Sequence, residues 1–357
     1  MKILQAFENY ASDGIANVVN DDSGLNFNTP ITGESGQDTE YINANIIDDN
    51  NCYNFNNDVT ISAGNEQLIT SVKSRYTTYY RFCAPISSVS NPLEINMNNN
   101  KLNIYVTSSD WMMDAKKYVG IAAQKYCNVT INDPGIINIK FEESGGEKTG
   151  ILAAAGGSIN IKNGGENLEN KILSIQAPTD DAITGIYVET KRSDSGNASS
   201  VIIDGLVNIN TPDKIVNEAD GTSYTVNAYA INVESGLVDI GGGKIIGRLR
   251  SDNWRNKIDI ARININTQKD SNGNLIGAGD NIVQIDGELT ADNGSGNANQ
   301  INVGLNGENS YIKGNAIGSA IEHSTKDNET SYDSTTKYGV NIYMDNAADG
   351  VVMRKAP

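Results

Sequence analysis

Hydrophobic and polar residues alternate along short stretches of the chain, and these stretches recur every few tens of residues. In Leu102–Val106, Ile137–Phe141 and Ile263–Ile265, apolar residues hold every second position and Asn, Lys or Tyr stand between them. Such alternation predicts strands with one face in a core and the other in water. Similar segments lie at 93–97, 129–131, 159–161, 172–175, 201–203, 206–209, 237–240, 258–260, 282–285 and 301–303.

A small residue followed by Ile or Val opens many of these units. The instances are Gly120-Ile121, Gly150-Ile151, Gly185-Ile186, Ala230-Ile231 and Gly339-Val340, of which the first three are 30 and 35 residues apart and the fourth follows after 45. Self-similarity at such intervals is typical of a solenoid. We therefore predict an all-β fold, a parallel β-helix with three short strands per rung. A β-sandwich or barrel is the alternative, although its strands are typically joined by hairpins and need not begin with the same pair of residues.

The repeats set the expected organisation of the chain. At about 30 residues per rung they make about eight rungs and a rod about 40 Å long. We assign residues 93–350 to the β-helix, 1–92 to an N-terminal cap with the first irregular rungs, and 351–357 to a C-terminal tail. A cap is expected because open strand edges template aggregation. Near-helical spacing of apolar residues from Ile3 to Val19 predicts a short capping helix.

Six stretches without apolar alternation are expected to be loops at the corners of the solenoid, where insertions often carry binding. They lie at 163–170, 191–199, 211–225, 269–280, 292–300 and 324–337.

Composition supports strands and turns over helices. The chain has 43 Ile, 14 Leu and 49 Asn. Ile is a poorer helix former than Leu but packs well on a sheet, while Asn suits tight turns.

The net charge of −17 argues against nucleic acid and anionic membranes as partners. Apolar runs of about 18 residues are missing, so no transmembrane segment is predicted. The first ten residues hold one Lys and do not resemble a signal peptide.

The candidates for catalysis are weak. Asp180-Asp181 resembles the tandem Asp of polygalacturonases, but the His-containing and Arg-x-Lys motifs of that family are missing, so a turn is the favoured interpretation. His323 is the only histidine, has no Gly-x-Ser-x-Gly elbow before it, and is expected on a surface loop. We predict no catalytic residues, no metal ligands and no cofactor.

Two loops resemble ligand motifs incompletely. Gly241–Lys244 lacks the flanking residues of a phosphate-binding loop, and a corner turn is the better interpretation. Asp270 begins a stretch that starts like a calcium loop, but its twelfth position is Asn281 instead of Glu. The three cysteines lack metal-site spacing. They are expected to be buried free thiols, with a Cys52–Cys83 bridge as the alternative.

An aromatic cluster supplies the only candidate ligand-binding residues. Exposed Tyr and Arg are favoured anchors of protein or sugar contacts, and the alternative is that they cover the end of the solenoid. The cluster holds Arg75, Tyr76, Tyr79, Tyr80 and Arg81.

The chain resembles the passenger domains of bacterial autotransporters, the type V secreted adhesins. The resemblance rests on the Ile-Asn-Ile strands, the Gly-Ile openers, the Asn/Gly-rich corners, scarce Cys, acidity and the closing segment Tyr338–Ala348. It implies a right-handed β-helix, export through the outer membrane to the cell surface, and adhesion or aggregation there. This sequence lacks a signal peptide and a translocator barrel, which fits an excised passenger fragment.

The expected function is therefore a cell-surface adhesin or interaction scaffold without catalysis. Its expected partner is a host surface protein, a glycan, or another copy of itself on a neighbouring cell. A polysaccharide-acting β-helix (a hydrolase, a lyase or a phage tailspike fragment) is the alternative. A passive stalk that projects another domain is a third possibility.

Overall fold

A computed structural model describes most of the chain after its N-terminal region. The described residues are 18–21, 24–27, 46–47, 52–56, 58–62, 82–83, 86–88, 92–106, 117–141, 147–162, 172–178, 181–190, 198–219, 221–253, 261–292, 299–317, 320–324, 339–345 and 352–355. These residues form 32 strands and no helix. One sheet holds 28 of the strands, and the other four form two separate hairpins.

The strands are short, as the alternation predicts. Their bounds are β1 Val18–Asp21, β2 Gly24–Phe27, β3 Ile46–Ile47, β4 Cys52–Phe55, β5 Val59–Ser62, β6 Phe82–Cys83, β7 Ile86–Ser88, β8 Leu93–Asn96, β9 Leu102–Val106, β10 Lys117–Ala123, β11 Asn128–Asn132, β12 Ile136–Phe141, β13 Glu147–Ala154, β14 Ser158–Lys162, β15 Ile172–Gln176, β16 Thr184–Glu189, β17 Ser200–Asn210, β18 Lys214–Asn217, β19 Ser223–Val226, β20 Tyr229–Val233, β21 Gly236–Ile246, β22 Arg248–Asp252, β23 Ala261–Ile265, β24 Thr267–Lys269, β25 Leu275–Ala278, β26 Val283–Asp286, β27 Leu289–Asp292, β28 Gln300–Asn306, β29 Tyr311–Ile317, β30 Ala320–Ser324, β31 Gly339–Asp345 and β32 Val352–Lys355.

The large sheet is organised in three columns of parallel strands. The first column runs β7, β10, β13, β16, β20, β22 and β27. The second runs β4, β8, β11, β14, β17, β21, β23, β28 and β31. The third runs β5, β9, β12, β15, β17, β21, β26, β29 and β32, because β17 and β21 each bend from the second column into the third.

The chain passes through one strand of each column and then starts the next rung, so the fold is a parallel β-helix with three strands per rung. The prediction of this fold is confirmed, and the sandwich alternative is wrong. From β8 to β31 the second column holds eight strands in register, as many as the expected rungs.

The core lies inside the three columns and consists of stacked aliphatic side chains. Ile121, Ile151, Ile186 and Ile231 are register partners in successive rungs of the first column. All four are 0% exposed and belong to one continuous hydrophobic cluster. Each such burial is worth about 1.5–3 kcal/mol. The excess of Ile in the composition therefore supplies these interior columns.

The small residue that precedes these isoleucines is required by close packing between rungs. A Cβ at Gly120, Gly150 or Gly185 would lie 2.5–2.6 Å from a backbone carbonyl oxygen of the next rung. No side chain fits in that space. The fifth marker, Gly339, belongs to the second column, where its register partner is Gln300. The pair of a small residue and Ile or Val therefore lies in the first column in its first four instances, and in the second column in the fifth.

Two of the six predicted loops contain regular structure. In 211–225, β18 pairs with β19, and in 269–280 the strand β25 pairs with β24; both pairs are antiparallel hairpins. The prediction of irregular loops is wrong there, because β-branched and aromatic residues flank both turns and favour strands. The other predicted loops lie wholly or mainly outside the described residues. So do the segment 258–260 and, apart from Val18 and Val19, the predicted capping helix.

A ladder of buried asparagines crosses three rungs of the second column. Asn302 Nδ2 donates to Asn264 Oδ1 at 2.8 Å, and Asn341 Nδ2 donates to Asn302 Oδ1 at 2.8 Å. The three residues point away from the core yet are only 1–3% exposed. The hairpin β24–β25 lies against β28 and β31 and covers this part of the column.

Asn266 holds the covering hairpin in place. Its Nδ2 donates to the carbonyl oxygens of Gly279, Asn281 and Gly304 at 3.2, 2.7 and 3.1 Å. Its Oδ1 accepts the Asn281 backbone N–H at 3.1 Å. Asn266 has φ of +50°, a left-handed conformation that Asn tolerates better than most residues. One buried side chain thus joins both ends of the hairpin to the next rung.

Candidate functional site

The aromatic cluster predicted to bind a ligand is not among the residues that the structure describes. This applies to Arg75, Tyr76, Tyr79, Tyr80 and Arg81. Their role stays a prediction.

The acidic pair at Asp180-Asp181 is described in part. Asp180 lies outside the described residues. Asp181 makes an ion pair with Lys148, whose side chain is 2% exposed while that of Asp181 is 25% exposed. A buried ammonium needs a partner, because leaving it unpaired is strongly unfavourable. Asp181 therefore neutralises Lys148, which supports the interpretation of this segment as structural.

The backbone of His323 and of the three cysteines lies on different segments of the solenoid. His323 lies in β30, with Tyr343 as its register partner, so the prediction that it lies in a loop is wrong. Cys52 lies in β4 of the second column and Cys83 in β6, which pairs with the first column. The side chains of His323, Cys52 and Cys83 lie outside the description. Cys127 is buried and is not in a disulfide, and its Sγ donates to Lys125 O at 3.5 Å.

The two incomplete ligand motifs have structural roles. Gly242 and Gly243 have φ of +142° and +117° and form the bend by which β21 enters the third column, as the predicted corner requires. In the second motif, Asp270 Oδ1 accepts the backbone N–H groups of Asn272 and Asn274 at 2.8 Å. The side-chain hydrogen bond from Asn274 is the main reason why the pKa of Asp270 lies below its ordinary value. This carboxylate closes the turn of the β24–β25 hairpin.

Carboxylates from three successive rungs stand in a row at the end of the first column. The register of Val188 with Val233, and of Val233 with Ser251, places Glu189, Glu234 and Asp252 beside one another. Rungs about 4.8 Å apart bring such carboxylates near one another, and paired carboxylates are the catalytic groups of glycosidases.

Burial and partners argue against catalysis by two members of this row, while the third, Glu234, is half-buried. Glu189 is 4% exposed and accepts the Tyr187 hydroxyl at 3.1 Å. Asp252 is 2% exposed and makes an ion pair with Arg250. A polysaccharide cannot reach either carboxylate in this conformation.

The outward side of the third column presents a continuous polar surface over seven rungs. We call it the open face, and its side chains form two rows. The first row is Asn103, Asn138, Ser174, Asn208, Lys244, Gln284 and Tyr311, and the second is Tyr105, Lys140, Gln176, Asn210, Ile246, Asp286 and Lys313. All 14 side chains are exposed or half-buried. Seven rungs about 4.8 Å apart make each row about 29 Å long.

Hydrogen bonds and ring contacts order this surface. Asn138 Nδ2 donates to Asn103 Oδ1 at 2.9 Å across neighbouring rungs. The Lys140 ammonium lies 5.7 Å from the centre of the Tyr105 ring. At the other end, the Lys313 ammonium lies 5.0 Å from the centre of the Tyr311 ring. A tyrosine with a cation above it therefore stands near each end of the open face.

The charge of the open face is opposite to that of the whole protein. Its two rows contain three Lys and one Asp, a balance of +2, whereas the chain carries −17. Amide, hydroxyl and ammonium groups dominate, so the surface donates and accepts hydrogen bonds along its whole length. It is suited to an elongated ligand that is polar or anionic.

The hairpin β18–β19 is a second exposed feature. It leaves the solenoid between β17 and β20 and pairs with no other strand in the described part. Ile215, Tyr224 and Val226 are 68%, 52% and 37% exposed. Apolar side chains at this exposure are rare on a surface otherwise rich in Asn and charge, so the hairpin is a candidate for contact with a partner.

Sequence reasoning missed both surfaces. The polar positions of the open face are visible as the outward half of each alternating strand, but the rungs must be aligned before they form rows. The sequence signal for the hairpin is a β-prone triplet, Lys214–Val216, and a β-prone quartet, Ser223–Val226, on either side of Asp220-Gly221.

Comparison with protein-family models, curated protein sequences and solved structures gives no significant match. Among the described residues, no helix is long and apolar enough to cross a membrane. In the same part of the chain, no group of three or more His, Cys, Asp or Glu side chains is arranged to hold a metal ion. The fold alone defines the class: the chain is a parallel β-helix protein.

Proposed function

We propose that this β-helix is a non-catalytic interaction scaffold of a cell surface, an adhesin, and that its open face binds an elongated glycan. The observation that carries the proposal is the first row of that face. Seven successive rungs each present an Asn, Ser, Lys, Gln or Tyr side chain, all exposed or half-buried. A row about 29 Å long suits a polymer better than a compact ligand.

The chemistry of the face favours sugars. Side-chain amides both donate and accept hydrogen bonds, as sugar hydroxyl groups do. Tyr105 and Tyr311 offer rings for contact with apolar sugar faces. The ammonium groups of Lys140, Lys244 and Lys313 favour acidic glycans, because the rest of this acidic molecule repels anions. We therefore expect uronic-acid or sulfated glycans to bind more tightly than neutral ones.

The resemblance to autotransporter passenger domains, with export to the cell surface, belongs to this proposal. A polysaccharide-acting enzyme is the competing proposal. The buried and partnered state of Glu189 and Asp252 supports binding without cleavage.

Glycan and matrix-protein arrays test the proposal. The wild-type chain is expected to retain acidic glycans, and the double variant Lys140→Gln/Lys313→Gln is expected to lose them. A matched control, Lys125→Gln/Lys162→Gln, removes the same charge from half-buried and exposed positions outside the third column. Equal binding by the two variants would contradict a role for the open face. Retention of matrix proteins without any glycan would contradict the ligand class.

Catalysis is tested on the same glycans. We expect no new reducing ends and no unsaturated products after prolonged incubation with a glycan that binds. Depolymerisation that disappears in Asp180→Ala would establish the competing proposal.

A further inference from the structure

We propose that the hairpin β18–β19 is a protein-docking element that binds a basic, extended segment of another protein by adding it as a third strand. This goes beyond glycan binding, because the hairpin contributes no residue to the open face. The inference rests on four observations: the exposure of the hairpin, the fixation of its base, the backbone groups at its edges, and charge.

The solenoid buries little of the surface of the hairpin, so it contributes little to the stability of the hairpin. Every described residue from Asn217 to Asn227 is exposed, and only Lys214 and Val216 are half-buried. A two-stranded hairpin by itself is marginally stable in water. Its side chains Ile215 at 68% exposure and Tyr224 at 52% add an unfavourable exposed apolar surface. Contact with a partner would remove this surface from water.

The base of the hairpin is nevertheless fixed to the solenoid. Thr211 is 0% exposed, and its backbone N–H donates to Ile246 O at 2.9 Å. Asp213 Oδ1 accepts the Ala228 N–H at 2.9 Å, and its Oδ2 accepts Arg248 Nη2 at 2.8 Å. An anchored hairpin is presented in one orientation, so a partner pays less ordering entropy on binding.

The register shows which backbone groups face outward. Glu218 N donates to Thr222 O at 2.8 Å next to the turn. Hydrogen-bonded and non-hydrogen-bonded pairs alternate along an antiparallel ladder. The pair Ile215–Thr225 is therefore non-hydrogen-bonded, and its N–H and C=O groups point away from the hairpin. Such edges are templates for an added strand.

Charge selects the partner. Two copies of a chain with net charge −17 repel one another, which disfavours hairpin-to-hairpin pairing. Glu218 is exposed beside the turn and adds local negative charge. A segment with alternating basic and apolar residues matches both the acidic molecule and the apolar side chains of the hairpin.

The test uses two synthetic peptides and the whole chain. One peptide alternates Lys with Val and Tyr, and the other has Glu at each Lys position. Fluorescence anisotropy is expected to show binding of the basic peptide, weaker at high salt, and no binding of the acidic one. The triple variant Ile215→Thr/Tyr224→Thr/Val226→Thr keeps the charge and strand propensity, and we expect it to weaken binding about tenfold. Ile276→Thr/Ile282→Thr, at positions 38% and 48% exposed, is the matched control and should bind normally.

Thr225→Pro supplies an independent variant, because Pro is tolerated where the strand N–H faces solvent. If the partner adds to the β19 edge, Thr225→Pro should weaken peptide binding. If the partner adds to the β18 edge, Ile215→Pro should weaken it instead. Unchanged binding in the triple variant, or in both proline variants, would overturn the proposal. So would hairpin-dependent dimerisation in analytical ultracentrifugation. Glycan binding by the open face is measured with other variants, so either proposal can fail alone.

Discussion

The buried asparagine ladder provides a direct test of how polar side chains hold neighbouring rungs together. Asn302 stands in the middle, with hydrogen bonds of 2.8 Å to both Asn264 and Asn341. Asn302→Ala removes both bonds. At about 0.5–1.5 kcal/mol each, their loss costs about 1–3 kcal/mol, and the partner groups left buried and unsatisfied place the expected cost at the upper end of this range.

The matched control is Asn138→Ala. Asn138 holds the same outward position in an Ile-Asn-Ile strand and makes one bond of 2.9 Å to Asn103, but it is half-buried on the open face. Water replaces that bond, so we expect a cost of about 1 kcal/mol or less. Urea unfolding followed by far-ultraviolet circular dichroism measures both free energies of unfolding. Equal losses of unfolding free energy in the two variants would refute the idea that burial makes the hydrogen bonds of the ladder more stabilising.

A charged variant adds a pH signature to the same test. Asn302→Asp keeps the size of the side chain but introduces a carboxyl group into a buried site, where desolvation raises its pKa. The neutral carboxyl is tolerated at low pH, below the unfolded-state pKa near ~4. Stability relative to Asn302→Ala should then fall as the pH rises through the higher folded-state pKa. A difference that is independent of pH between acid and neutral conditions would contradict a buried position.

Three further predictions concern the packing of the rungs, an acidic corner and the hairpin base. Gly150→Ala should lower stability by about 1–3 kcal/mol in urea unfolding, because its Cβ would lie 2.6 Å from Gly185 O; wild-type stability would contradict this close approach. Partial burial, and then the nearby Asp239 carboxylate, raise the pKa of Asp204, so its ionisation disfavours the folded state as the pH rises through that pKa. Asp204→Asn should therefore stabilise the chain at pH ~7, by less than about 1 kcal/mol because most of the side chain stays in contact with water, and should have no effect below the ordinary pKa of 3.8. Asp213→Ala should speed hydrogen exchange in β18 and β19 and leave the core strands unchanged, since it removes the contacts at the hairpin base; unchanged exchange in the hairpin would contradict its anchoring role.

The sequence predicts the strands and their inward faces well, because each strand carries its own alternation. It does not predict which polar residues are buried. Ile263–Ile265 and Ile137–Ile139 are both Ile-Asn-Ile, yet Asn264 is 2% exposed and Asn138 is half-buried. The difference arises because the hairpin β24–β25 covers one part of the second column, while the third column has no such cover at Asn138 in the described part of the chain.

The candidate surfaces were harder to predict for a related reason. Neighbours on the open face are separated by inserts of variable length, so Asn103 and Asn138 meet only after the register is known. The acidic row has the same origin: Glu189 and Glu234 are 45 residues apart in the chain but adjacent in register. Local patterns do not encode such contacts.

The amount of chain in one turn of the solenoid varies widely while the core pairing stays the same. Ile231 and Leu249 are register partners only 18 residues apart, whereas Ile186 and Ile231 are 45 residues apart. The 18-residue turn shows that a rung can fill its share of the core with few residues. The additional residues of longer turns are therefore not constrained by core packing. Because the entropic cost of a longer loop grows slowly with its length, whole segments can be exchanged at the corners. Such a molecule can acquire a new binding specificity by insertion or deletion at one corner and keep every interior residue.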